Sequence, residues 1–225
     1  NFSFKYPYEP YVRIKSKMSI SEIKKMKAYD GESYDAVENI EIEYGDREKK
    51  ISGAERGTIV HKYMELLDFE KAYGDEAYVE NFANELVKRG IFSIDERSVI
   101  NSCKINNMIN SSLGKRMVRA CKEGKLVREQ QFQAGILPEK IYPELNIASG
   151  KGDVIIVQGI IDAFFYEEEE IVVMDYKTDR ADEKTLVGRY RAQLDYYGDI
   201  LSRLTGKRVK EKIIYSFYLD NEIQL

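Results

Sequence analysis

Apolar positions recur at two different periods along this chain, and the change falls near Lys125. Before it, Val60, Tyr63, Met64 and Leu67 follow helical spacing after Gly53 and predict a core-facing helix. Ser19 or Ser21 can cap an earlier helix running to about Ala28, with Glu22 in capping-box position after Ser19. Further helical patterns cover about 75–89, closed by Gly90, about 94–110, and 112–122, closed by Gly124. Asn1–Lys17 reads as an extended, aromatic lead-in, and residues 30–52 as a polar surface loop. After Lys125 the pattern turns to strands: 126–132, then two arms between 153 and 178, then Val209–Tyr218 and a short piece at Glu222–Leu225. One long helix is predicted over 183–205, opened by Asp179 or Asp182 and ended by Gly206. Strands on both sides of such a helix predict an α/β fold with a mixed sheet and a crossover helix.

The two central arms carry the candidate chemistry. Gln158 to Asp162 and Ile171 to Thr178 flank the acidic run Glu167 to Glu170, which predicts an antiparallel hairpin with a solvated turn. A turn centred on Glu168 and Glu169 sets Asp162 opposite Asp175, with Lys177 on the face of Asp175. Facing carboxylates repel, and a divalent cation between them would remove the conflict. Carboxylate oxygens suit Mg²⁺, and a neighbouring lysine suits hydrolysis of a phosphate ester. The plainer alternative is a solvated charged hairpin with a chance Asp-x-Lys.

Composition sets the bounds. With 225 residues, 43% apolar and 33% charged, the chain can bury a sizeable core as one domain. No apolar run is long enough to span a membrane. The net charge of −4 disfavours an extensive nucleic-acid-coating surface but leaves room for a local basic cleft. Cys103 and Cys121 form no zinc pattern and fit free thiols in a reducing compartment. A chain starting at Asn1 reads as a piece of something longer.

Four further positions could join the hairpin. His61, the one histidine, lies a helical turn after Gly57 and could ligate a metal, with Mn²⁺ then suited, or serve as a structural hydrogen-bonder. Gln193 and Tyr197 share a helix face and could hold a phosphate or the lysine, or be a polar residue beside a core aromatic. Glu129, mid-strand with Val127 and Gln131 on its face, is either a third carboxylate or a surface residue paired with a lysine. No GxxxxGK[ST], GxGxxG or GxSxG occurs, which excludes P-loop nucleotide binding and an acyl-transfer triad.

Gly57-Thr58-x-x-His61, Gly159-x-x-Asp162, Asp175-Tyr176-Lys177-Thr178-Asp179 and Gln193-x-x-x-Tyr197 resemble, in that order, the RecB-like branch of the PD-(D/E)XK nucleases. Tyr6-Pro7-Tyr8, Lys17 to Lys24 and Gly57 to Phe69 are similar to the C-terminal nuclease domains of AddA-type helicase/nucleases. The resemblance implies a single restriction-endonuclease-like nuclease domain, with a helical part over 1–124 carrying His61 and the catalytic sheet over 125–225. It implies His61, Asp162, Asp175 and the Tyr176 carbonyl as ligands of Mg²⁺ or Mn²⁺, and Lys177 as catalytic. Gln193 and Tyr197 would complete the site, with Glu129 as a supporting carboxylate. The expected activity is exonucleolytic cleavage of DNA, preferentially single strands, fed by an upstream helicase in the same bacterial cytoplasmic chain during double-strand break repair. An AddB-type protein is the expected partner. The rival expectations are a catalytically lapsed DNA-binding or docking module and a free-standing exonuclease of the same superfamily.

Overall fold

The structure is a computed structural model that describes residues 14–29, 51–143 and 153–225. Most of the aromatic lead-in and of the loop expected at 30–52 lies outside the described residues. The described strands form a mixed sheet in which β1 (Lys17–Ser19), β3 (Ile155–Glu167), β4 (Glu170–Lys177), β5 (Val209–Ser216) and β6 (Asn221–Gln224) hydrogen-bond in that order. β2 (Leu126–Ile136) also pairs with β3. The expected α/β class and mixed sheet are borne out.

By contacts the chain divides into two compact units, 1–34 with 131–160, and 35–130 with 161–225. In the first, β1 runs parallel to β3 with Met18 beside Val157. Ser19 and Glu22 form the expected reciprocal cap of α1 (Ile20–Tyr29): the Glu22 N–H meets Ser19 Oγ at 3.2 Å and Ser19 N–H meets Glu22 Oε2 at 2.8 Å. Gly159 is required here, because a Cβ would lie 2.8 Å from the Phe132 ring.

The second unit holds α2 (Gly53–Leu66), α3 (Phe69–Ala72), α4 (Glu76–Lys88), α5 (Ile94–Val99), α6 (Ser102–Asn110), α7 (Ser112–Lys122) and α9 (Glu183–Thr205); the short α8 (Pro138–Ile141) belongs to the first. Ser52 and Glu55 form a capping box that starts α2. Tyr63 and Met64 of α2 and Phe165, Met174 and Tyr215 of the strands share one buried cluster. The helix expected over 94–110 is two. Ile100 turns extended into the core, and the Asn101 side chain accepts from Lys104 N–H to start α6. A residue that competes for backbone hydrogen bonds restarts the helix instead of continuing it.

The hairpin register is the expected one. Glu167 faces Glu170, and pairing runs back to Ala163 opposite Met174. The same register continued by one residue sets Asp162 against Asp175. Glu168 takes the left-handed conformation, φ 54°, to close the turn. β4 then crosses through α9 to β5, which lies parallel to it, and Gly206 at φ 69° ends α9 as expected.

Candidate active site

Asp162 and Asp175 are two of the three buried polar or charged residues among the described ones, at 7% and 0% exposure. Such groups need partners, since burying a lone charge is costly. Asp162 Oδ2 accepts the backbone N–H of Tyr176 at 2.8 Å, a bond across the hairpin. Lys177 Nζ lies 2.5 Å from Asp175 Oδ2, as alternation along β4 requires. Gln193 donates one N–H to Asp175 Oδ1 at 3.1 Å and another to the Tyr197 hydroxyl at 2.8 Å. The pair expected to share a face of α9 therefore reaches the hairpin through Asp175.

His61 comes to the same place from α2. Its Nε2 is 3.0 Å from the Tyr176 carbonyl, and because a carbonyl only accepts, Nε2 carries the hydrogen. Nδ1 is then the nitrogen that faces Asp162 Oδ1, at 3.4 Å. This is the arrangement in which one ring N–H is held by a backbone carbonyl and the other nitrogen is presented to a cation. The Tyr176 carbonyl, expected as a ligand, here serves as the acceptor that orients His61.

Glu129 completes the group from β2. It lies at φ 48°, in the left-handed region, where a residue other than glycine is strained by about 1–3 kcal/mol. The alternation expected to align it with Val127 and Gln131 is therefore interrupted at this residue. Ligand atoms of His61, Glu129 and Asp162 all lie within 4.8 Å of one another. Asp175 stands outside that trio, on the Lys177 and Gln193 side.

The electrostatics agree with a shared excess of negative charge. Burial, helped by repulsion from Asp162, pushes the Glu129 carboxyl up to about 7. Burial likewise raises Asp175, against the pull of Lys177. Burial also works against charge on His61 and Asp162. Their mutual hydrogen bond and attraction outweigh it, so the imidazole is raised and the carboxyl lowered. Lys177 is opposed by burial too, yet Asp175 and Asp162 hold its ammonium charged.

Does this donor set fit a divalent cation? Donors separated by up to 4.8 Å can share an ion at about 2.0–2.3 Å from each with small adjustments. Asp175 Oδ2 is buried and accepts no well-directed hydrogen bond among the described residues, its close neighbour being the Lys177 ammonium. An acceptor left over beside one imidazole and two carboxylates suits a cation that prefers oxygen and tolerates nitrogen.

Two residues of the site were not legible as such. Tyr190 falls in the core periodicity of α9, yet Lys177 Nζ sits 4.4 Å from its ring centroid. Arg128 donates to the carbonyls of Met64 and Leu67, at 3.0 and 2.7 Å, tying the end of the helix that carries His61 to the strand that carries Glu129. The available signals were spacing, three residues before Gln193, and adjacency to Glu129. Gly57 also approaches another segment, but a Cβ there would lie 3.6 Å from Thr178 Oγ1, an ordinary contact.

Comparison with known proteins agrees with this geometry. The AddA protein of the ATP-dependent helicase/nuclease from Clostridium botulinum is 38% identical in strain Loch Maree and 39% in strain 657, over 99% of this chain. The protein of the same description in Clostridium beijerinckii is 36% identical over 99%. The chain spans 18% of the length of each of these relatives. The family profile described as the PD-(D/E)XK nuclease superfamily matches residues 36–223, which contain every one of the site residues above. With that match and the Asp162, Asp175 and Lys177 arrangement, the chain belongs to the PD-(D/E)XK nuclease superfamily.

Proposed function

We propose that this chain is a divalent-metal-dependent deoxyribonuclease domain that hydrolyses phosphodiester bonds, with single-stranded DNA as its substrate. The observation that carries the reading is the meeting of His61, Glu129 and Asp162 beside the buried Lys177–Asp175 pair. His61 Nδ1, Glu129 and Asp162 would hold the cation, with Asp175 adjoining. When bound, Mg²⁺, or Mn²⁺ in view of the imidazole, would supply Lewis acidity toward a phosphate oxygen. Lys177 offers positive charge to the phosphate oxygens on which charge grows during displacement. Gln193, anchored by Tyr197, fixes the Asp175 carboxylate, and through it the lysine. Held this way, the groups need little reorganisation when substrate arrives.

The relatives' name supports a wider setting. In that setting a helicase in the same chain delivers the strand, an AddB-type protein is the partner, and the work is double-strand break repair in the bacterial cytoplasm. The complete set of charged site residues favours an active enzyme over a lapsed DNA-binding module.

The test is cleavage of an end-labelled single-stranded oligonucleotide by the purified chain, with Mg²⁺ or with chelator. Cleavage is expected only with the metal. Asp175→Ala and Lys177→Ala should each lower it by about 10²–10³-fold or more, with circular dichroism unchanged. Cleavage at the parent rate by either folded variant would overturn the assignment.

A further inference from the structure

Lys177 is gripped from two sides, and only one of them is a carboxylate. Asp175 Oδ2 lies at 2.5 Å on one side. On the other, the ammonium stands over the ring of Tyr190, 4.4 Å from its centroid. Tyr190 belongs to α9 and is 8% exposed. Its hydroxyl donates to both carboxylate oxygens of Asp179, at 3.0 and 3.1 Å. Asp179 follows β4 by two residues and also meets Arg189 Nη1 at 3.7 Å. The ring is thus fixed at its backbone end by the helix and at its hydroxyl end by the segment that leaves the lysine's own strand.

We propose that Tyr190 is a positioning residue for Lys177: the ring face holds the ammonium in place, and the Asp179 bond fixes the ring. The inference rests on the nuclease reading above. A lysine side chain carries four rotatable bonds, and freezing them beforehand removes that cost from the reaction. An ammonium over an aromatic face in a desolvated site gains more than one in water, and the ring competes little with Asp175 because it offers no lone pair. The same contact leaves the ammonium charged and its remaining hydrogens free for a phosphate.

The test compares Tyr190→Phe, which keeps the ring and loses the hydroxyl, with Tyr190→Leu, which loses both. Tyr190→Leu should lower kcat for single-strand cleavage about tenfold to thirtyfold, with KM for the oligonucleotide and the Mg²⁺ half-saturation unchanged. Tyr190→Phe should stay within about threefold of the parent kcat, since the ring remains. A second readout is the Lys177 ε-methylene resonance, assigned by its loss in Lys177→Arg. The ring current should displace it upfield in the parent and in Tyr190→Phe, and the displacement should vanish in Tyr190→Leu. Parental kcat in Tyr190→Leu, an equal fall in both variants, or no upfield displacement in the parent would each overturn the proposal. If Tyr190→Leu does not fold, the resonance in the parent and in Tyr190→Phe still decides it. A parent that cuts no DNA with metal would remove the nuclease reading, while the resonance would still report whether Tyr190 holds Lys177.

Discussion

At the scale of single residues, each side chain of the site has a partner that the linear sequence does not display. The Asp-x-Lys spacing was enough to pair Asp175 with Lys177, because alternation along a strand is rigid. It could not reveal which nitrogen of His61 faces Asp162, since that depends on the Tyr176 carbonyl, far away in the chain. Nor could it reveal the left-handed turn of Glu129, because nothing in a glutamate signals φ 48°. Tyr176 supplies a prediction at this scale. Its hydroxyl is buried and has no hydrogen-bond partner among the described residues. Burial also raises the pKa of the phenol far above its usual value. An unpaired buried hydroxyl costs about 1–3 kcal/mol, so Tyr176→Phe should leave the urea midpoint unchanged or raise it. A fall in that midpoint would mean that the hydroxyl has a partner.

At the scale of elements, the hairpin was the most legible part. Its turn is short and acidic, and once Glu168 and Glu169 occupy it every pair back to Ala163 and Met174 follows. Helix α9 was equally legible, since an aspartate at the start and Gly206 at the end are strong signals. The helical half was read less well. The apolar period runs through Ile100, and only the capping side chain of Asn101 divides α5 from α6. The next junction is tighter. A Cβ on Gly114 would lie 2.2 Å from the Ile109 carbonyl oxygen and 2.3 Å from that of Met108. Backbone cannot yield as a side chain can, so Gly114→Ala should destabilise the fold by about 1–3 kcal/mol in chemical denaturation. An unchanged midpoint would show that α6 and α7 can separate freely.

At the scale of the whole molecule, charge ties the helical part of the second unit to its sheet on the side away from the hairpin's catalytic end. Arg116 of α7 binds Glu167 of β3 through Nε and Nη2, at 2.8 and 2.9 Å, and Glu211 of β5 at 2.8 and 2.9 Å. Lys210 adds a contact to Glu167 at 2.7 Å. The Arg116 hydrogen bond holds the Glu167 carboxyl down to about 2. A depressed folded pKa contributes stability above the unfolded value near 4.5, and that contribution is lost as pH falls toward 2. Glu167→Gln should therefore lose stability at neutral pH and show a flatter decline between these limits. The difference is about 1 kcal/mol once solvent screening of this partly exposed cluster is allowed for. Parallel acid-unfolding curves for parent and variant would count against the cluster.

The central claim is that four distant segments assemble one metal centre. The chain has a single histidine, so a nitrogen signal from a bound metal can be assigned without ambiguity. Pulsed electron paramagnetic resonance of the Mn²⁺-loaded chain measures imidazole nitrogen coupling directly. Coupling to one imidazole is expected in the parent, lost in His61→Ala, with Mn²⁺ binding weakened in Asp162→Ala. Mn²⁺ bound without any imidazole coupling, or no Mn²⁺ bound at all, would contradict a centre built on His61, Glu129 and Asp162.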